Sequence, residues 1–110
     1  MLGSHLMWLV KSWQSAAYHE LGRSTEADAA VDESISLNPT HVFNELYKAL
    51  SLLRLGRGAE AGEHIGMVRR LGWDLASAER IWRRVLPNSP KLEADIRNIH
   101  TLYAETESGA

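Results

Sequence analysis

The side chains able to do chemistry are scattered. Histidines stand at His19, His41, His64 and His100, besides His5 near the start, and they share no metal-binding spacing; Glu63-His64 lacks the second histidine of a zinc-protease helix. Glu60 and His64, four residues apart, place a carboxylate and an imidazole on one helical face. Two ligands hold a metal only weakly, so packing or exposure is the expected role of both. Serine, histidine and aspartate all occur, but no strand-turn-helix context presents a nucleophile. No catalytic residue, metal or cofactor is expected, and the chain reads as non-enzymatic.

Charge narrows the partners. Glu20, Glu26, Asp28, Asp32, Glu33 and Glu45 are opposed by few cations, whereas Arg69, Arg70, Arg80, Arg83 and Arg84 crowd the following third. Such an arginine group is able to grip phosphate, yet without interleaved aromatics or a recognition helix it reads as a solvated face with salt bridges. A net charge of -2 gives no bulk attraction for nucleic acid or anionic lipid. The absence of cysteine excludes a disulfide framework and fits a reducing compartment, the cytoplasm. No apolar run approaches the roughly 18 residues a membrane span needs.

The elements that must position these residues are helices. Leu9, Trp13, Ala16, Ala17 and Leu21 recur at helical spacing, and Gly22 ends that segment. Ala27, Ala30, Val31 and Ser34 make a second stripe, closed at Asn38-Pro39, since proline disfavours helix in the residue before it. From His41 to Leu55 apolar residues leave only a thin polar strip of Asn44, Glu45, Lys48 and Ser51. A helix apolar almost all round needs neighbours on several sides, so this one is expected at the centre. Ala61, His64, Ile65, Val68 and Leu71 mark a fourth helix ending at Gly72. A fifth starts at Asp74 as N-cap and carries Leu75, Ala78, Ile81, Trp82 and Val85. A sixth opens with Ser89-Pro90 and carries Leu92, Ile96, Ile99 and Tyr103, before a polar tail. The fold class is all-α with about six helices.

Leu21-Gly22-Arg23 recurs 34 residues later as Leu55-Gly56-Arg57, and each copy is followed by Glu-Ala, Glu26-Ala27 and Glu60-Ala61. Helix pairs repeating at this period are stacked hairpins. The pattern resembles the tetratricopeptide repeat (TPR): Leu21, Gly22, Glu26, Ala27, Val31, Leu37, Asn38 and Pro39 match in the first unit, and Leu55, Gly56, Glu60, Ala61, Ile65 and Leu71 in the second. The second unit has Gly72-Trp73 in place of Asn-Pro. The resemblance implies an α-α superhelix with units at 8–40 and 41–73, capping helices at 74–104 and a flexible tail at 105–110. Residues 1–7 are set aside, because Gly3-Ser4-His5 resembles an expression-tag remnant, which would make the rest a segment of something longer. The stretch from Leu55 to Leu102 is similar to the end of the repeat regions of bacterial class III nucleotide cyclases and of winged-helix transcriptional regulators. No cyclase catalytic residue lies in it.

By analogy with the repeat family, a concave groove falls at Leu9, Ser12, Ala16 and His19 in the first unit and Phe43, Leu46, Leu50 and Arg54 in the second. It would take a helix or extended peptide, with Arg54 available for a carboxylate. About three units are needed for stability and only two are present. Trp8, Leu9, Val10 and Trp13 on the first helix are therefore expected to meet upstream repeats or a second copy in a homodimer. The rival expectation is a C-terminal capping segment of a larger sensor, with no ligand of its own.

Overall fold

The computed structural model describes residues 4–39, 41–72, 74–85 and 91–108. Among them run six helices: α1 Ser4–Glu20, α2 Ser24–Leu37, α3 Val42–Arg54, α4 Gly58–Arg70, α5 Leu75–Val85 and α6 Leu92–Ser108. The expected all-α class is what the chain forms. Trp73, Leu86-Pro87 and Ser89-Pro90 lie outside the described residues, as do the side chains of Ala78, Ile81, Trp82 and Val85. Two ends run further than the sequence pattern suggests: α1 begins at Ser4, and α6 continues through Ser108.

The repeated Leu-Gly-Arg is a backbone device used twice. The Gly22 N–H donates to the His19 carbonyl and the Arg23 N–H to that of Tyr18; in the second copy, Gly56 donates to Leu53 and Arg57 to Leu52. This paired reversal ends a helix in the left-handed region, and Gly22 and Gly56 have φ of 74° and 78°. The arginine then opens the next helix. The Arg23 and Arg57 carbonyls accept from the N–H groups of Ala27 and Ala61, while their side chains pair with Glu26 and Glu60 one turn on. Gly72 repeats the glycine step with φ 79° and an N–H bonded to the Arg69 carbonyl.

Each reversal folds two helices into a hairpin. Ala27 and Ala61 are wholly buried, and at the first contact the Ser15 hydroxyl donates to the Ala27 carbonyl at 2.8 Å. The α1–α2 hairpin packs on α3, α3 pairs with α4, and α6 lies across α4 and the end of α3. Helix α6 joins the core of Val31, Leu46, Leu52 and Ile65 through Leu92, Ile96 and Ile99, and α5, which sits beside α6, adds Leu75. Helix α3 is central as expected, but its polar strip is not a solvent face. Asn44, Glu45 and Ser51 are buried along with its leucines.

The first helix corrects the apolar reading. Of Leu9, Trp13, Ala16, Ala17 and Leu21 only Ala16 is buried, and the inner face is Ser12, Ser15, Ala16 and His19. Small and hydrogen-bonding side chains let α1 approach its neighbours closely, while Trp13 and Leu21 point outward at 55% and 67% exposure.

The glycines separate conformational from steric cost. A Cβ at Gly56 meets nothing within 4 Å, so Gly56→Val is expected to lose more than about 1 kcal/mol through backbone strain alone. Gly62, inside α4 with equally open space, is expected to gain up to about 1 kcal/mol on substitution by alanine. Denaturant midpoints moving in opposite directions check the pair.

Candidate functional site

The eight groove positions fall on two helices that meet each other. Ser12, Ala16 and His19 on α1 and Leu46 and Leu50 on α3 are buried, so their side chains line the inside of the helix stack rather than an open channel. Leu9 and Phe43 are half-buried, and the Phe43 ring stands 4.8 Å from that of His41. The eighth, Arg54, is already engaged. Its Nη1 donates to the His19 carbonyl at 2.7 Å, its Nε to Asp95 Oδ1 at 3.3 Å, and its Nη2 pairs with Asp95 Oδ2. The carboxylate expected from a ligand is supplied by α6.

His19 lies beneath this arginine. Its Nε2 is 3.0 Å from the Ser51 hydroxyl, and its Nδ1, like the Ser12 hydroxyl, has no hydrogen-bond partner among the described residues. Burial first, and then the Arg54 guanidinium, push its pKa down to about 4, so the ring is neutral. His41 has a different task, as N-cap of α3. Its Nδ1 accepts from the Phe43 N–H at 3.1 Å, its ring lies against that of Trp8 at a centroid distance of 4.3 Å, and burial lowers its pKa.

The polar strip of α3 bonds to the α1–α2 hairpin and to α4. Asn44 Nδ2 donates to the Asn38 carbonyl at 3.0 Å, and its Oδ1 is 2.7 Å from the Ser34 hydroxyl. Lys48 holds Asp28 at 2.8 Å and Asp32 at 2.9 Å. Burial opposes the Lys48 charge, but those two hydrogen bonds prevail and its pKa is raised. Glu45 Oε2 lies 2.6 Å from His64 Nδ1. Glu60 and His64 thus serve different partners, Arg57 and Glu45, and among the described residues no group of three acidic or imidazole side chains is placed to hold a metal.

The arginine group is spread over several contacts. The Arg69 guanidinium lies 3.9 Å from the centre of the Tyr103 ring and donates to the Tyr103 carbonyl at 2.6 Å. Arg83 pairs with Glu79 within α5 and with Glu93 on α6, holding both carboxyls below the usual range. Arg80 donates to the Ser77 hydroxyl, and Asp74 receives the Ser77 N–H at 2.8 Å, which is the expected N-cap. Among the described residues no helix is long and apolar enough to cross a membrane.

The four self-association positions separate as well. Trp8 turns inward to His41, and its carbonyl lies 2.6 Å from the Ser34 hydroxyl. Leu9 and Val10 are half-buried and Trp13 is exposed. Beside them Lys11, Gln14, Tyr18, Glu26, Ala29, Ala30 and Glu33 line an open cleft of about 310 Å³ between α1 and α2. The cleft is bridged by the Lys11–Glu33 pair at 2.9 Å. Ala30 occupies the position at which the second unit carries His64, so small side chains leave the hollow. Sequence reasoning missed the Arg54–Asp95 pair because its partners lie 41 residues apart, and the His41 cap because histidine is not among the residues that mark an N-cap. Compared with protein-family models, curated proteins and solved structures, the chain has no match.

Two measurements probe this arrangement. Asp95→Ala leaves the Arg54 charge mostly buried and uncompensated, and should cost roughly 3 kcal/mol in chemical denaturation, with Asp95→Asn costing less. His19 takes its proton near 6.5 when unfolded but only near 4 in the fold, so between those values the unfolded state binds the extra proton. Its contribution to stability is whole above pH 6.5 and is lost as the pH falls toward 4, by up to about 3 kcal/mol. Urea unfolding across this window should show a shallower pH slope for His19→Gln than for the unaltered chain.

Proposed function

We propose that the chain is a non-catalytic protein–protein interaction module, a fragment of a tetratricopeptide-type scaffold that takes a helix, an extended peptide or a second copy by apolar contact. One observation carries this reading: the innermost positions of α1 are Ser12, Ser15, Ala16 and His19, while Leu6, Met7 and Trp13, with Leu21 just past its end, are exposed. Scattered apolar residues are ordinary on a surface, but a row of them along one helix marks an interaction site. The repeat type is supported by the 34-residue recurrence, by the left-handed glycines at both copies, and by the buried Ala27 and Ala61.

The contact face differs from the groove drawn by family analogy, since a partner gains little from side chains already inside the stack. It lies on the outer surface of α1 and the adjoining α1–α2 cleft. Metal, cofactor and nucleic acid have no part in this reading, and the cysteine-free composition supports a cytoplasmic setting.

A second reading is favoured by α6, which closes the stack over α4 through Arg69–Tyr103 and over α3 through Arg54–Asp95. On it the chain is the closing segment of a bacterial nucleotide cyclase or winged-helix regulator and binds nothing itself.

An NMR titration of the labelled protein with synthetic amphipathic helices bearing leucines at helical spacing separates the two. Shifts clustered at Leu6, Val10, Trp13 and Ala17 are expected. Spectra unchanged by every peptide, or shifts confined to Arg80–Arg84, refute the interaction reading.

A further inference from the structure

The internal repeat shows what the outer face of α1 lacks. Val10, Trp13, Gln14 and Ala17 stand 34 residues before Asn44, Tyr47, Lys48 and Ser51. On α3 three of these four are buried and Lys48 is nearly so, because the preceding hairpin covers them: α1 through His19–Ser51, α2 through Ser34–Asn44 and Asp28–Lys48. On α1 the equivalent residues are open, apart from a half-buried Val10. The internal interface therefore ends at a surface of the same position and pitch, changed from polar to apolar.

The pattern on that surface selects its occupant. Leu6, Val10, Trp13 and Ala17 on α1 fall within one quadrant, and Leu21, whose N–H bonds back to the Ala17 carbonyl just past the helix end, continues the steps of four, three, four and four. The stripe reads nearly the same in both directions about its midpoint and contains no charge. A second copy arriving head to tail finds the far end closed, since α6 already covers α4. The stripe is complementary to itself, as an isologous contact requires.

Resting on the interaction reading above, we propose that α1 packs antiparallel against α1 of a second copy across a two-fold axis beside Trp13. In this register Leu6 meets Leu21 of the second copy, Val10 meets its Ala17, and the two Trp13 rings sit together at the axis. One helix pair buries less than the roughly 1,600 Å² of a standard interface, so the dimer is weak and reversible.

Sedimentation of the unaltered chain from micromolar to millimolar concentration should show a reversible monomer–dimer equilibrium. Trp13→Glu, at an exposed position, should weaken it by roughly thirtyfold or more with the far-ultraviolet circular dichroism unchanged. The chain has no cysteine, so register is read directly by mixing Val10→Cys with Ala17→Cys under mild oxidation. The mixed disulfide is expected, because each position lies about 10 Å along the helix from its own symmetry mate. A monomer throughout, a dimer untouched by Trp13→Glu, or Val10→Cys coupling to itself in place of the mixed product overturns the proposal. Peptide shifts on α1 of a strictly monomeric protein would keep the interaction reading while discarding the pairing.

Discussion

The guanidinium of Arg54 is the point at which three helices are tied together. It leaves the last turn of α3, takes the carbonyl of His19 on α1, and pairs with Asp95 on α6. A carbonyl at a helix C-terminus carries partial negative charge, so the cation is neutralised by one full and one partial charge in a nearly water-free setting. That geometry orients α6 across the end of α3 and holds the α1 reversal against it. The same cation helps to keep His19 neutral, which lets a buried imidazole bond to Ser51 as an uncharged group.

Around this hub α3 behaves as a core helix whose specificity lies in its polar residues. Leucine against leucine tolerates rotation and sliding of one helix on another. Asn44 against Asn38 and Ser34, Lys48 against Asp28 and Asp32, and Glu45 against His64 do not. Each is satisfied in one register and costs free energy in any other, because a buried polar group without a partner loses its hydration for nothing in return. The acidic run of α2 pairs with Lys11 of α1 and Lys48 of α3, and Arg69 of α4 and Arg83 of α5 both reach α6, so part of the charge asymmetry of the chain becomes contacts between neighbouring helices.

The outer face of α1 follows from the same logic run in reverse. Its interior positions are filled by Ser12, Ser15 and Ala16, which allow close approach, and the bulk that would ordinarily fill a core is turned outward. A helix built this way has two apposed surfaces. One joins the stack, and the other supports the proposed contact with a second copy.

Helix existence and the chain reversals were legible from the sequence alone, because both are local. Glycine takes a positive φ at low cost, so Leu-Gly-Arg at Gly22 and Gly56 is sufficient to end one helix and begin the next, and Ala27 and Ala61 announce a tight hairpin. The α6 stripe of Leu92, Ile96 and Ile99 was equally plain from its helical spacing, although the buried Asp95 on the same face was not. Which face of α1 lies inside was a tertiary decision: periodicity locates an apolar stripe at Trp13 but does not say whether the chain's own core receives it, and Ser15 and His19 win the inner face only because Ala27 and Ser51 offer them partners. Arg54 shows the same limit. Its type suggests a carboxylate partner, but that Asp95 supplies it follows from α6 returning across α3, a contact between residues far apart in the chain that no local spacing records.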